Sequence, residues 1–418
     1  MPLAECAVYV LRHRWKSAAL AVIGFSLEFL YINGLAPLVT TVMLTQTHST
    51  LPAAWYYDPD QYHREMECIW WKEWLCVARV SELPDAGCYR VVQAGTQQVI
   101  ITRTGPGEFR AFHNTCRHRG SVLCEQATGQ FHGQRIVCPY HAWTYSLEGD
   151  LLRTPRKIEG TDFNPESWSL YRVALDTWGG FVFINLAEHL QAGLHQSLGG
   201  ETQTLANWPL ADLALAHREV HTLECNWKIF WENFLECYHC PNIHHDLCRL
   251  VPLYGQGLNS MDDLPPGSPV AAQPNGSYLA PGAVTWTPDG RTSLPWFEGL
   301  TTHEQAVGMT FVSVQPSVFI VAHVDYVRSV HVMPLGPERT QLTVNWMLLP
   351  QTLASGAVDI PALIALGNQV VQEDARVCEL NQKGLRSLRH QSGVLVPQEY
   401  DVLAFDNWVK DRLHAAKS

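Results

Sequence analysis

The segments CRHRG (Cys116–Gly120) and CPYHAW (Cys138–Trp143) each bring one cysteine and one histidine together. One residue separates the cysteine from the histidine in the first segment, two do so in the second, and 19 residues lie between the two pairs. Two thiolates and two imidazoles bind either a zinc ion or an iron–sulfur cluster. The candidate metal ligands are therefore Cys116, His118, Cys138 and His141.

The distribution of these ligands favours a cluster over zinc. Zinc fingers pair cysteine with cysteine and histidine with histidine on separate elements, whereas here each loop carries one of each and lies between predicted strands. Mixed loops suit a [2Fe-2S] centre in which one iron takes two thiolates and the other takes two imidazoles, because each loop then reaches both irons. This ligand set predicts a Rieske centre. Gly120 permits a tight first loop, and Pro139 stiffens the second.

The pattern around the two loops predicts a small all-β domain. Short alternating segments such as GCYRVVQA, QQVIITRT and GGFVFINL are separated by turn signals from Cys76 to about Leu186. We predict four regions: an N-terminal extension (1–46), a leading helix (47–75), the all-β domain (76–188) and a catalytic domain (189–418). No GxGxxG follows a predicted strand, which disfavours a nicotinamide or flavin bound by this chain itself.

The composition of the chain limits which classes of binding partner and which cellular compartment we expect. The formal charge of -11 disfavours nucleic acid or an anionic membrane as the main partner. Twelve unevenly spaced cysteines in 418 residues do not form a disulfide scaffold. We expect a cytoplasmic protein with a small-molecule substrate.

The first 46 residues leave three alternatives open. Three basic residues precede an apolar run over 18–42 that Glu28, Asn33 and Pro37 interrupt. A membrane span is possible only through 18–42, although a central carboxylate disfavours it. A signal peptide lacks a convincing cleavage site. The remaining alternative, which we favour, is that translation starts at Met43.

A second constellation lies in NWKIFWENFLECYHCPNIHH. We predict a helix on which Glu236 and His239 share a face. His239 and His244 are five residues apart, about 140° round a straight helix, so they can face one metal only if the helix breaks. We expect Pro241 to cause that break. Two histidines and a carboxylate from a later helix, Glu373 or Asp374, would form a site typical of non-haem Fe(II).

These motifs resemble the Rieske non-haem iron oxygenases, large (alpha) subunit, from about Leu51 to Leu413. The family usually has glycine where this chain has Ala142, and Cys124 lacks the partner that forms a disulfide in respiratory Rieske proteins. The resemblance implies an α+β fold, with an all-β Rieske domain followed by a catalytic domain whose antiparallel sheet is flanked by helices (helix-grip). It selects His244 over His245, and Asp374 over Glu373, as iron ligands.

The resemblance also implies partners and a bridging role. Electrons would come from a separate NAD(P)H-dependent reductase, with or without a ferredoxin. The protein would be a homotrimer in which the cluster of one subunit feeds the iron of its neighbour. Glu236 would then be a catalytic bridge, accepting hydrogen bonds from His239 and from His141 across the interface.

The substrate side resembles the subgroup acting on glycine betaine and related quaternary ammonium compounds, which implies oxidative N-demethylation. Aromatic faces bind such cations. Candidate walls are Trp286, Trp296, Phe297 and Tyr326, and Arg328 is a candidate for holding a carboxylate. The alternatives are an oxygenase acting on an aromatic carboxylate, and a Rieske electron-transfer protein with an inactive second domain.

Overall fold

The computed structural model describes residues 43–156, 162–265, 267–268 and 277–415. Most of the predicted extension, including the possible membrane segment at 18–42, lies outside these residues. Within the described part of the chain, no helix is long and apolar enough to cross a membrane.

The leading segment is helical over a shorter stretch than its hydrophobic pattern predicts. Helix α1 (Pro59–Glu65) begins after Asp58, whose carboxylate accepts a hydrogen bond from the Asp60 backbone, and continues as a π-helix at Met66–Trp70. The apolar face of this segment is buried, and strand β2 follows directly. Strand β1 (His48–Ser49) pairs with β17 (Val394–Leu395) and ties the two ends of the described chain together.

Two antiparallel sheets form the N-terminal β region. The larger contains β2 (Leu75–Arg79), β3 (Cys88–Ala94), β4 (Gln97–Gly105), β5 (Glu108–His113), β6 (Thr128–Gln130), β10 (Arg172–Trp178) and β11 (Phe181–Asn185), in the order β2-β11-β10-β5-β4-β3-β6. The smaller contains β7 (Arg135–Val137), β8 (Thr144–Ser146) and β9 (Leu151–Arg153). The predicted all-β architecture is confirmed, although β6 and β10 were not predicted. The residues of β6 are exposed throughout and those of β10 are mostly half-buried, so neither shows a clear alternation.

The C-terminal region is a five-stranded antiparallel sheet with helices packed against it. Its strands are β12 (Ala214–Leu223), β13 (Met309–Val314), β14 (Val318–His323), β15 (Val327–Gly336) and β16 (Arg339–Leu348), in the order β12-β16-β15-β14-β13. Its helices are α2 (Leu194–Leu198), α3 (Glu201–Thr204), α4 (Trp227–Phe234), α5 (Cys240–Ile243), α6 (His245–Leu250), α7 (Thr302–Val307), α8 (Pro350–Ala354), α9 (Ile360–Leu385) and α10 (Tyr400–Ala415). This is the predicted α+β arrangement.

A buried ion pair positions α4, the helix that leads to the second constellation. The Lys228 ammonium lies 2.7 and 2.8 Å from the two carboxylate oxygens of Glu65, and both side chains are fully buried. The Trp227 indole also donates to Glu65, at 2.8 Å. Because every partner is hydrogen-bonded, the desolvation cost of the two charges is offset. The pair therefore anchors the start of α4 to α1.

Candidate active site: two metal constellations

The two Rieske-type loops adopt the same local turn. In the first, the Cys116 backbone donates to Ser121, and the Gly120 backbone donates to Cys116. In the second, the Cys138 and Ala142 backbones make the equivalent bonds. Gly120 and Ala142 occupy the same left-handed position, with φ of 72° and 52°. The left-handed conformation is unfavourable for alanine by roughly 1 kcal/mol of conformational free energy, which explains why glycine is usual at this position.

The side chains of the two loops converge. The Cys116 and Cys138 thiols are buried in the same cluster of side chains. His118 is exposed and His141 half-buried, and their Nδ1 atoms are 3.1 Å apart. An inner pair of sulfurs and an outer pair of nitrogens is the donor set that a Rieske [2Fe-2S] cluster requires. The four residues therefore fit this cluster.

Aromatic residues of the second loop and its following strand support the cluster pocket. Trp143 stacks on the His118 ring at 4.9 Å between centroids and 9° between planes. The Tyr145 hydroxyl lies 3.3 Å from the Cys116 sulfur and accepts a hydrogen bond from the Arg117 backbone. Cys124 is a buried free thiol, as predicted, and burial raises its pKa to about 12.

The second constellation folds differently from the sequence prediction. Helix α4 ends at Phe234, so Glu236 and His239 do not share a helix. Pro241 does not cause the break, because it lies in the first turn of α5, where a missing N–H is tolerated. His239 immediately precedes α5, and His244 follows it with non-helical φ/ψ of −106° and 64°. A single helical turn thus brings both imidazoles to one side.

Asp374 on α9 completes a three-residue cluster with these histidines. The His239 and His244 Nε2 atoms are 3.2 Å apart, and Asp374 Oδ1 lies 3.4 and 2.8 Å from them, respectively. Separations near 3 Å are those expected between ligands that share an ion at about 2.0–2.2 Å. The donor set of two imidazoles and one carboxylate fits a non-haem Fe(II).

The two alternative ligands lie outside this cluster. Glu373 Oε2 is 2.7 Å from His244 Nδ1, on the side of the ring away from Asp374. His245 is exposed at the start of α6. Glu373 therefore orients His244 rather than facing the proposed metal position.

Glu236 holds His239 in the same way. Its Oε1 accepts from His239 Nδ1 at 2.5 Å, and its Oε2 accepts from the His239 backbone at 3.1 Å. Burial lowers the pKa of His239, but hydrogen bonds to Asp374, Cys240 and Glu236 outweigh it and raise the pKa to about 12. The carboxylates that raise this pKa would also stabilise a divalent cation.

Sequence reasoning missed two polar neighbours of the cluster. The Cys240 sulfur is 3.9 Å from His239 Nε2 and belongs with His239 and His244 to a group of potential ligand atoms within 4.8 Å. Asp374 Oδ1 lies closer to His239 Nε2 than the sulfur does, so the carboxylate is the better third ligand. The Asn233 amide nitrogen is 3.3 Å from His239 Nε2. The Cys237-x-x-Cys240 spacing is the sequence signal that could have indicated the Cys240 thiol.

Only part of the predicted aromatic wall assembles. Trp286 and Tyr326 are buried together, with the Tyr326 hydroxyl donating to the Trp286 carbonyl at 3.0 Å. The Arg328 guanidinium lies 5.5 Å from the centre of the Trp286 ring. Trp296 is 41% exposed, and Phe297 packs into a separate apolar cluster with Trp208. Trp296 and Phe297 therefore do not share this wall.

The chain matches two protein-family models. The model for the Rieske [2Fe-2S] domain covers residues 73–164, and that for the ring hydroxylating alpha subunit (catalytic domain) covers residues 210–415. A glycine betaine monooxygenase oxygenase subunit from Chromohalobacter salexigens is 30% identical, over 90% of this chain and 88% of its own. A chloroplastic choline monooxygenase from Beta vulgaris is 27% identical, over 87% of this chain and 77% of its own.

Solved structures agree on the fold. The quaternary ammonium Rieske monooxygenase CntA in complex with L-carnitine matches with a TM-score of 0.65 at 24% identity, covering 88% of this chain and 96% of that chain. A naphthalene 1,2-dioxygenase from Rhodococcus sp. matches with a TM-score of 0.61 at 21% identity, covering 87% and 94%.

The chain therefore belongs to the Rieske non-haem iron oxygenases, as an oxygenase (alpha) subunit. It carries a Rieske [2Fe-2S] cluster and a mononuclear iron, and it works with a reductase partner, a small-molecule substrate and O2. The family, fold class and cofactors predicted from the sequence are confirmed. The alternative of an electron carrier with an inactive second domain is not supported, because the chain is an oxygenase.

Proposed function

We propose that this oxygenase hydroxylates an N-methyl carbon of a quaternary ammonium compound that also bears a carboxylate, such as glycine betaine, so that formaldehyde leaves. The observation that carries the proposal is Arg328, a buried cation beside two buried aromatic side chains. The names of the relatives, glycine betaine and choline monooxygenases, support the substrate class.

Arg328 lacks a carboxylate partner. Its Nη1 donates to the Gly367 carbonyl at 3.3 Å, and its Nε has no partner among the described residues. No carboxylate of the described residues lies within ion-pair distance of it. Burial lowers its pKa, and the more distant charge of Asp374 opposes that shift only in part. A buried charge without a counter-ion is unfavourable by several kcal/mol. A substrate carboxylate would relieve this cost through a bidentate ion pair.

The position of Arg328 also suits a substrate of the proposed iron site. It contacts α9 at Gly367, seven residues before Asp374, so both lie on one face of this helix about 10 Å apart along its axis. Trp286 and Tyr326 offer aromatic faces nearby for a trimethylammonium group, each contact contributing roughly 0.5 to 2 kcal/mol.

In the proposed site, Cys116, His118, Cys138 and His141 hold the cluster, while His239, His244 and Asp374 hold the iron. The iron, when bound, supplies a centre at which O2 is activated beside the substrate. Glu236 and Glu373 fix the two imidazole rings so that each Nε2 faces the metal. The buried aromatic side chains exclude water from the substrate, and Arg328 orients it through its carboxylate.

We further propose that the subunits form a trimer in which each cluster serves a neighbouring iron. Exposed apolar side chains lie close to both sites in the sequence: Val122, Val137 and Tyr140 beside the cluster loops, and Tyr238 beside Glu236. Exposed apolar side chains at both sites support an interface between them. The Nδ1 atom of His141 faces the cluster side, which leaves its Nε2 for Glu236 of a neighbouring subunit.

The function is tested by turnover of the anaerobically reconstituted enzyme with a surrogate reductase, NADH and O2. Glycine betaine, choline and benzoate are compared, and formaldehyde, betaine aldehyde and hydroxylated ring products are measured. We expect formaldehyde from glycine betaine. Ring products from benzoate would instead support the aromatic-carboxylate alternative. Preferential oxidation of choline, which has no carboxylate, would contradict the role of Arg328.

The Arg328→Met variant tests the carboxylate contact directly. We expect KM for glycine betaine to rise roughly tenfold to a hundredfold, since a charge-assisted hydrogen bond contributes about 1.5–3 kcal/mol. KM for choline, which has no carboxylate, should be the same in this variant and in the wild type. Arg339→Met is the matched control, because that arginine is largely exposed. An unchanged KM for glycine betaine in Arg328→Met would remove the argument for a carboxylate-bearing substrate.

A further inference from the structure

A pair of carboxyl groups lies behind the iron site, between α4 and α10. Glu232 Oε1 accepts a hydrogen bond from the Tyr56 hydroxyl at 2.7 Å. Asp406 is fully buried and lies within hydrogen-bond reach of Glu232. Neither oxygen of Asp406 has a well-aligned donor among the described residues, although the Leu51 backbone N–H approaches it.

Glu232 is half-buried and Asp406 is fully buried. Two adjacent carboxyl groups with so little solvent resist ionising together, so they hold a proton between them. Burial, followed by the charge of Asp406, raises the pKa of Glu232 well above its ordinary value, and burial raises the pKa of Asp406 to about 6. The titratable groups that face the pair are Tyr56, Glu65, Lys228, Cys378 and Lys410. Lys228 favours ionisation of both carboxyl groups, but burial outweighs its effect, and its ammonium is bound to Glu65.

A cavity of about 560 Å³ extends from Glu232 to His239, and Asp406 lies outside its lining, behind Glu232. Glu232, Asn233, Glu236 and His239 all line it. The Asn233 amide reaches the metal-facing Nε2 of His239, and its own Oδ1 has no partner among the described residues. A water occupies about 30 Å³, so the cavity has room for a hydrogen-bonded chain of water from Glu232 to Asn233 and His239.

We propose that Glu232 and Asp406 share one proton and relay protons through this cavity toward His239 and the iron site. The proposal rests on the iron site proposed above, at His239, His244 and Asp374. Hydroxylation of a C–H bond follows C–H + O2 + 2 e⁻ + 2 H⁺ → C–OH + H2O. The reductase partner supplies the two electrons, and the two protons come from solvent through the carboxyl pair. Glu232 and Asp406 are thus positioning and proton-transfer residues, not metal ligands.

The variants Glu232→Gln and Asp406→Asn keep the side-chain shape but remove the shared proton. Asp401→Asn is the matched control, because Asp401 is a largely buried carboxyl group on the same helix as Asp406 whose neighbours are Asp263 and Asn259 rather than Glu232. The first readout is the infrared band of protonated carboxyl groups in the holoenzyme at neutral pH. We expect the wild-type enzyme to show a band that both pair variants lose and that Asp401→Asn retains. A band absent from the wild type, or unchanged in both pair variants, would overturn the shared proton.

The second readout is reoxidation by O2 of holoenzyme whose two centres have been reduced with dithionite, in H2O and in D2O. General acid catalysis is typically worth about a hundredfold or more, so we expect reoxidation to slow at least about tenfold in both pair variants, with a larger solvent isotope effect. Asp401→Asn should match the wild type. Wild-type rates in both pair variants would overturn the relay.

These readouts separate the relay from the proposed substrate. Reduction of O2 to peroxide also consumes two protons, so the variants can be compared with or without glycine betaine. If glycine betaine gives no formaldehyde in the wild type, the proposed function fails while the infrared and reoxidation comparisons still decide the relay. Visible absorption of the cluster and iron content confirm that each variant is folded and loaded.

Discussion

At the scale of single residues, each imidazole of the proposed iron site is held by its own carboxylate on the side away from the metal. Glu236 holds His239 and Glu373 holds His244. The two carboxylates differ in their surroundings, because Glu236 also lines the cavity and lies beside the exposed Tyr238. Orientation of the ring is therefore common to both, whereas a bridge to a neighbouring subunit is expected of Glu236 alone.

The pair Glu236→Ala and Glu373→Ala separates these two roles. We expect Glu236→Ala to retain both metal centres at saturating Fe(II) but to lose turnover, because electrons no longer pass from the neighbouring cluster. Glu373→Ala should bind iron roughly 10–100-fold more weakly and recover turnover when iron is added. Iron content, cluster absorption and product formation are measured together. Full activity of Glu236→Ala would exclude the bridge.

Asp401 predicts a pH-dependent stability. Burial, followed by the nearby Asp263 charge, raises its pKa to about 6, above the value of about 4 for an unfolded chain. The folded state therefore binds more protons between these values, and stability falls as pH rises from about 4 to 6. We expect Asp401→Asn to be more stable than the wild type above about pH 6, with the difference vanishing near pH 4.

Urea unfolding across this range measures the effect. A stability gain that is the same at every pH would show that the carboxylate charge is not its cause. Asp401 accepts only a long hydrogen bond of 3.4 Å, from Asn259. Replacement of Asp401 by asparagine should therefore disturb little else.

At the scale of elements, the first cluster loop depends on one buried side chain. Asn114 follows β5, and its amide oxygen accepts hydrogen bonds from the Leu123 and Cys124 backbones at 3.0 and 2.9 Å. Its amide nitrogen donates to the Cys124 carbonyl at 2.8 Å. These bonds close the loop that presents Cys116 and His118.

We expect Asn114→Ala to lower the cluster content, because each buried backbone group left without a partner is unfavourable by about 1–3 kcal/mol. Visible absorption and electron paramagnetic resonance of the reduced protein measure the cluster. Asn207→Ala is the control, because Asn207 is an exposed asparagine whose amide donates to Glu304. Full cluster content in Asn114→Ala would mean that the loop holds its shape without this side chain.

At the scale of the whole molecule, the proposed trimer requires that one chain complement another. Cys138→Ser should abolish the cluster and His239→Ala the iron, so each variant is inactive alone. Subunits mixed by coexpression should regain about a quarter of the wild-type activity, since random pairing joins an intact cluster to an intact iron site in that share of interfaces. Mixing Cys138→Ser with Cys116→Ser is the matched control. Mixed oligomers without activity would show that electrons do not cross between subunits.

The sequence by itself determined the cofactors, the all-β and α+β regions and the family. The reason is that ligand identity, ligand spacing and strand periodicity are local, and CRHRG with CPYHAW places four matched ligand types within two short loops. The same local reasoning was wrong about the helix break. A pattern of spacings could not reveal that α4 ends at Phe234 and that α5 alone carries the turn between the two histidines.

The tertiary structure decided how residues distant in the chain meet. Packing of α9 brings Asp374 to His239 and His244 and turns Glu373 to the far side of the His244 ring. It also buries Arg328, which could have faced solvent on its strand, and separates Phe297 from the aromatic pair. Glu232 and Asp406 come together from opposite ends of the C-terminal region. Such contacts depend on how complete elements pack, and no short segment encodes them.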